Sequence, residues 1–331
     1  MKFGVVVPSY GRFGDPAAVL ELVAAAEDLG YDGAWFADHV LIPDYATSWL
    51  PPPQLEPLAC CFVGMGRTTR LRFGVDVLVA AYRHPLVLAS TAASADELSG
   101  GRLTLGIGVG YLEGEFAALG VPYEHRGAIT DEWLEVLRHV WSTPGPVSFR
   151  GPRVSFDGVH LGARPVQTPG VPLWVGGNAD QALRRAALLG DGWHPLWPTP
   201  DGYAAGRARI AALRHEAGID RPFIFSYSCP LGRVLDREVA HWDPPPSPVA
   251  PSRPEYGYVQ PLPRAPDDRP RFTGTPEQLV ADVAAFAAAG VEHLTLRFWT
   301  SAVDLDVDGV VEQMARFATD VVPNCARVGR G

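Results

Sequence analysis

Short, nearly continuous apolar runs alternate with longer amphipathic ones from one end of the chain to the other. The runs at 3–7, 33–37, 71–79, 103–109, 173–175, 192–196, 223–228 and 293–298 are rich in Val, Leu, Phe and Trp. That is the pattern of parallel strands buried on both faces. Helical patterns fall between them at 16–29, 55–65, 86–98, 132–141, 180–189, 203–217, 276–290 and 307–321. In the segment 132–141, for example, Leu134, Leu137, Val140 and Trp141 share one face. Glycine and proline mark the boundaries: Gly30 ends the first helix, Gly100 and Gly101 close the third, and Thr275 caps a helix that Pro276 opens.

Eight strands alternating with eight helices predict a closed (β/α)8 TIM barrel, with residues 1–331 forming one domain, over an open doubly wound sheet. Two stretches break the alternation. Residues 147–166 read as a small hairpin insertion, and the proline-dense residues 243–270 as a lid-like insertion that shapes specificity. A barrel of this kind carries its chemistry at the C-terminal ends of its strands. His39, Asp76, Tyr111, Gly176 and Arg297 fall at or near such ends.

Composition narrows the partners. The 331 residues are 47% hydrophobic and carry a net charge of −9, with Lys2 the only lysine and no basic run interleaved with aromatics. Nucleic acid is not an expected partner. No apolar run approaches membrane length, and the N-terminal one ends at Pro8, too short for a signal peptide. Cys60, Cys61, Cys229 and Cys325 make neither a CxxC pair nor a zinc spacing, and Cys60 and Cys61 sit on an apolar helical stretch expected in the core. These features predict a soluble, cytoplasmic protein without a metal, acting on a small molecule.

Candidate chemistry is concentrated at a few positions. In the stretch 171–196, an apolar strand feeds Gly176 and Gly177 into a helix, leaving backbone N–H groups aligned for a phosphate. The competing reading is a plain turn with Asn178 as N-cap, and Asp180 in the first turn opposes an anion. Asp76 interrupts the apolar strand GVDVLVA and needs a partner or a role. Arg297, in LTLRFW, either anchors a substrate carboxylate or pairs with a barrel carboxylate. The glycines of GIGVGY lack the spacing of a dinucleotide fingerprint and read as a strand exit, with Gly108 letting the backbone approach a cofactor.

Taken in order, the segments AAAEDLGYDGAWFADHVLIP, LRFGVDVLVAAYRHPLVLASTAASADELSGGRLTLGIGVGYLEGEFAALGV, RGAITDEWLEVLRHVW, VPLWVGGNADQALRRAALLGDGW and TGTPEQLVADVAAFAAAGVEHLTLRF resemble the luciferase-like monooxygenase superfamily. They resemble in particular its coenzyme F420-dependent oxidoreductase branch. The resemblance implies a ring lying across the barrel mouth, its phosphate side at Gly176, Gly177 and Asn178. The ring would rest on a bulge with a non-prolyl cis peptide at Asp76–Val77, with Asp38 and His39 at its edge or beside the substrate. Tyr111 stands where some F420 relatives have an acidic proton donor. Homodimerisation through helices near strands two to four is also implied.

The resulting expectation is hydride transfer between F420 and a small organic substrate, at a C=C, C=N or C=O bond or in reverse. His39 is the foremost acid/base, followed by Tyr111 and Tyr10. The alternatives are an FMNH2- and O2-dependent monooxygenase on the same barrel, and a cofactor-binding protein without catalysis. A metal-dependent hydrolase lacks the clustered histidines it would need.

Overall fold

The computed structural model describes residues 1–196, 198–229, 231–238, 265–266, 269–299 and 305–328. Eight parallel strands close into a barrel: β1 Lys2–Val6, β2 Gly33–Phe36, β3 Arg72–Val79, β4 Leu103–Gly108, β5 Leu173–Val175, β6 Gly192–Trp193, β7 Ile224–Ser228 and β8 His293–Leu296. Neighbours in sequence are neighbours in the sheet, and β1 pairs with β8 through Lys2 opposite His293 and Val5 opposite Leu296. This is the (β/α)8 fold. Its surrounding helices are α1 Pro16–Asp28, α2 Pro57–Arg67, α3 Pro85–Ser99, a short α4 Glu113–Ala118, α5 Arg126–Ser142, α6 Asp180–Leu189, α7 Pro200–Glu216, α8 Pro276–Ala288 and α9 Val307–Arg316. A π-turn, Phe317–Val321, carries the last of these into α10, Val322–Val328.

The helix starts follow local chemistry. Proline at N1 costs no hydrogen bond and presets φ, and it opens α1, α2, α3, α7 and α8. Side chains of Asp15, Glu56 and Thr199 accept from first-turn N–H groups, and Thr275 with Gln278 completes a reciprocal capping box.

Large and small side chains alternate inside the barrel. Trp35 stacks on Trp174 and on His194, with ring centroids 5.2 and 4.9 Å apart. Glycines make the room: a Cβ on Gly4 would lie 2.8 Å from Trp35 Nε1, and one on Gly192 2.7 Å from Trp174 Cδ1. Cys60 and Cys61 are buried, as their apolar helix requires.

Two expectations change and one small pairing is added. Strand β6 is two residues long, not 192–196, because Pro195 has no N–H for the ladder; pairing resumes only as a bridge between Leu196 and Ser228. The hairpin pairs Val147–Arg150 with Ser155–Val159, so its strands stop before 166. Two-residue segments, Arg233–Val234 and Thr273–Gly274, form a parallel pair too short to show in any periodicity. Most of the proline-dense stretch 243–270 lies outside the described residues. No helix among the described residues is long and apolar enough to cross a membrane.

Candidate active site

A cavity of about 440 Å³ opens at the C-terminal ends of the strands, within the size range of small-molecule sites. Every site residue expected from the sequence lines it: Tyr10, Asp38, His39, Asp76, Val77, Gly108, Tyr111, Gly176, Gly177, Asn178 and Arg297. A larger groove of about 780 Å³ lies elsewhere, between Phe3, Tyr31, Val283 and Cys325. It belongs to the N-terminal end of the barrel and holds none of these residues.

One wall is a bulge in β3. Its register on β4 runs to Val75 opposite Leu105 and resumes at Leu78 opposite Ile107, so Asp76 and Val77 together face Gly106. The Asp76–Val77 peptide is cis. Val77 sits in a glycine cradle: a Cβ on Gly108 would lie 2.5 Å from its Cγ2, and one on Gly176 3.2 Å from its Cγ1. The missing side chain of Gly108 therefore makes room for Val77. Gly108 itself lines the cleft, together with the valine it seats.

His39, just past β2, is held by a carboxylate that sequence reasoning missed. Glu115, on α4, is fully buried; its Oε1 accepts from the N–H groups of Val40 and Leu41, and its Oε2 from Tyr82 at 2.9 Å. The same Oε2 lies 3.1 Å from His39 Nδ1. Burial alone would raise the Glu115 pKa, but the His39 bond and charge and the two backbone donors hold it below the ordinary value. An ionised carboxylate only accepts, so Nδ1 carries the hydrogen of this bond and Nε2 is left for the cleft. Tyr111 Oη lies 3.5 Å from that Nε2. Tyr82 is pushed well above its usual pKa by burial and then by Glu115, so it stays a phenol and a donor.

Asp38 lines the cleft and is held by Arg83, which also binds Glu56 at 2.6 Å. Arg83 grips Asp38 with Nη1 and Nη2 at 2.7 and 2.8 Å, and Val79 N donates to Asp38 at 2.8 Å. Tyr10 packs edge-on against Trp299, centroids 5.2 Å apart, and burial raises its pKa, only partly opposed by Arg297. It is a weaker acid than a free phenol, so His39 and Tyr111 stand ahead of it as proton carriers.

The floor holds a second carboxylate. Asp76 is fully buried and accepts from Ser228 Oγ at 2.9 Å, from Arg297 Nη2 at 3.2 Å and from His194 Nε2 at 3.1 Å. Burial would raise its pKa, but the bond and charge of His194, the charge of Arg297 and the Ser228 hydroxyl hold it low. Of the two sequence readings of Arg297, the pairing with a barrel carboxylate is present.

At the opposite wall Gly177 has φ of 100°, a conformation suited to glycine, and leads into α6. The N-cap of α6 is Ala179, which caps with no side chain, so the Asn178 N-cap expected as the alternative does not form. The Asn178 amide donates instead to Leu196 O at 2.7 Å, tying this loop to the one after β6. Asp180, which seemed to oppose an anion, is exposed and pairs with Arg209 at 2.9 Å. Arg185 reaches the cavity from α6 with its charge on Asp131. Donors without a side-chain cap, a glycine turn and a nearby guanidinium fit a phosphate.

An eight-stranded parallel barrel with a bulged third strand, a glycine turn at the fifth and a ring-sized cleft between them is a class of cofactor-binding barrel. The chain belongs to the luciferase-like monooxygenase family of enzymes, whose sequence model matches residues 1–232. It is similar along nearly its whole length to F420-dependent glucose-6-phosphate dehydrogenase from Amycolatopsis mediterranei, at 24% identity over 344 residues, covering 96% of this chain and 97% of the relative. A monooxygenase from Streptomyces bottropensis shares the fold at a TM-score of 0.77 and 21% identity, over 98% of this chain and 99% of the other. An F420-dependent secondary alcohol dehydrogenase in complex with an F420-acetone adduct shares it at 0.76 and 19% identity, over 98% of each chain. Relatives and structural neighbours thus include both F420-dependent enzymes and flavin-dependent monooxygenases.

Proposed function

We propose that this chain is an F420-dependent oxidoreductase that moves a hydride between the deazaflavin and a small organic substrate. The observation that carries the reading is His39, fixed through Nδ1 on a buried, ionised Glu115 and presenting Nε2 to a cleft that Val77 walls. A reaction that delivers a hydride to one atom needs a proton at its neighbour, and a histidine so held is placed to supply it.

The residues fit the cofactor. Val77, backed by Gly108, where a Cβ would clash with it, would support one face of the ring; Gly176, Gly177, Asn178 and Arg185 would hold the phosphate side. When bound, F420 supplies a hydride donor or acceptor centred on carbon. The chain does the rest. His39 gives or takes a proton at Nε2, Tyr111 stands beside it as the next hydrogen-bonding group, and the apolar Leu50 and Trp299 restrict water. The relative matched over 96% of this chain, named as an F420-dependent dehydrogenase, supports F420 over FMN.

The test is titration of the purified protein with F420 and with FMN separately, followed by fluorescence. F420 is expected to bind at least tenfold tighter and to be turned over with an alcohol, ketone, imine or enone. Tighter FMN binding, with turnover of reduced FMN and O2, assigns the chain to the monooxygenases; F420 binding with no substrate-dependent change in its redox state makes it a binding protein. We further propose a cytoplasmic homodimer that contacts through helices near strands two to four, for which light scattering expects twice the 35.6 kDa chain mass.

A further inference from the structure

The charges that line the cleft are already engaged inside the protein. Asp76 pairs with Arg297 Nη2 at 3.2 Å and also accepts from Ser228 Oγ at 2.9 Å. Arg185, on the phosphate side, is bonded to Asp131, and Asp38 to both Nη atoms of Arg83. Around His39 the balance is acidic. Arg83 serves two carboxylates, Asp38 and Glu56, and the ionised, fully buried Glu115 lies 3.1 Å from His39 Nδ1. A ligand carboxylate or phosphate beside His39 meets that field with no spare cation to pair with among the described residues. At Arg297 it would also meet the charge of Asp76.

The rest of this end is apolar. Tyr10, Leu50 and Tyr111 line the cleft and belong to one cluster with Ile42, Trp49 and the buried Leu112. Tyr45 carries the cluster onto the rim, its ring 6.4 Å from that of Trp49, and Val40 and Leu41 precede Ile42 in the same loop after β2. Val40, Leu41 and Tyr45 leave 41, 45 and 43% of their surfaces exposed. The display is held in place from α4. Val40 N and Leu41 N donate to Glu115 Oε1, and Tyr45 Oη accepts from Gly114 N at 3.1 Å. Glu115 thus fixes His39 and the apolar rim together. A fixed apolar surface continuous with a ligand cleft is stabilised when the ligand covers it.

We propose that the substrate is an uncharged, apolar compound longer than the cleft, its reacting group at His39 Nε2 and its hydrocarbon body lying over Leu50 and out across Val40, Leu41 and Tyr45. Each further CH2 of such a body that the rim covers adds affinity, while the acidic surroundings of His39 penalise an anion. Val40, Leu41 and Tyr45 are then the residues that select for length. This inference rests on the cleft being the substrate site of the proposed oxidoreductase and names the substrate class.

The experiment is titration of the protein with three ketones, with and without F420, followed by tryptophan fluorescence. The reference is 2-pentanone; levulinate is the same chain ending in a carboxylate, and 2-nonanone is four CH2 groups longer. We expect 2-nonanone to bind at least about tenfold tighter than 2-pentanone, and levulinate at least about tenfold more weakly. Val40→Ser combined with Leu41→Ser should cut the preference for 2-nonanone over 2-pentanone by at least about fivefold, with circular dichroism and light scattering checking fold and subunit state. Levulinate binding as tight as 2-pentanone, or an undiminished length preference in the rim variant, overturns the proposal. A rim variant that changes oligomeric state and keeps the preference does so too, and makes the rim a subunit contact. F420 binding and turnover without the length preference would overturn this inference alone. The length preference without F420 binding would sink the cofactor reading and leave this one standing.

Discussion

Two histidine–carboxylate pairs sit in the same barrel mouth and differ in what their rings are free to do. His39 and Glu115 are joined at 3.1 Å, and so are His194 and Asp76. In the first pair one nitrogen is spent on the carboxylate and the other faces the cleft near Tyr111. In the second both nitrogens are spent, one on Asp76 and one on Ser226, inside a fully buried ring stacked on Trp35. The lesson is that the second contact, not the carboxylate, decides whether a histidine keeps a nitrogen open to a ligand.

If that distinction holds, His39→Asn should slow turnover by about 10²–10⁴-fold, the contribution of a placed acid or base, with F420 affinity little changed. Steady-state kinetics beside a cofactor titration checks it; a lost affinity with unchanged turnover would make His39 a cofactor contact. Asp76→Asn acts on the other pair and should lower stability by about 3–5 kcal/mol, because it strands Arg297 without its counter-charge. Urea unfolding measures this, and a near-neutral change would mean that Asp76 is not the counter-charge that Arg297 needs.

A third histidine sharpens the contrast. Burial, and then repulsion from His194, lower the His293 pKa from 6.5 to about 3. The unfolded chain accepts a proton below pH 6.5 that the folded chain refuses until about pH 3. Its contribution to stability is thus complete above pH 6.5 and declines as pH falls through that window. At pH 5 the loss is about 2 kcal/mol. His293→Gln should flatten this part of the stability–pH curve, and an unaltered slope would contradict the assignment. The smallest effect belongs to Glu115→Gln, which replaces a charge-assisted bond to His39 with a neutral one. Turnover should fall about tenfold, with a shifted pH profile. An unshifted profile would reduce Glu115 to a purely structural role.

Much of the barrel was legible because strands buried on both faces write themselves as apolar runs and helices announce their starts with proline and a cap. Asp76 and Arg297 stood out for the same reason, as charges in apolar strands. His194 gave a weaker form of that signal at the end of β6, and its partner lies 118 positions away. Glu115 could not be told from its neighbour Glu113, since both belong to one acidic helix and only packing turns Glu115 inward while Glu113 stays exposed. Gly4, Gly74 and Gly192 read as interruptions of strands, and the tryptophan rings that need their space come from other strands. The room that Gly108 makes for Val77 could not be read either, because a bulge that no local pattern shows brings the valine there.

The contrast between the two pairs is tested most directly by ¹⁵N NMR of histidine-labelled protein at pH 7.5, with His39→Asn and His194→Gln used to assign the signals. The expected spectrum has His39 protonated at Nδ1, the nitrogen held by Glu115, and His194 protonated at Nε2, the nitrogen held by Asp76. A His39 ring with a bare Nδ1, or a His194 ring with a bare Nε2, would contradict the account of how each carboxylate holds its ring.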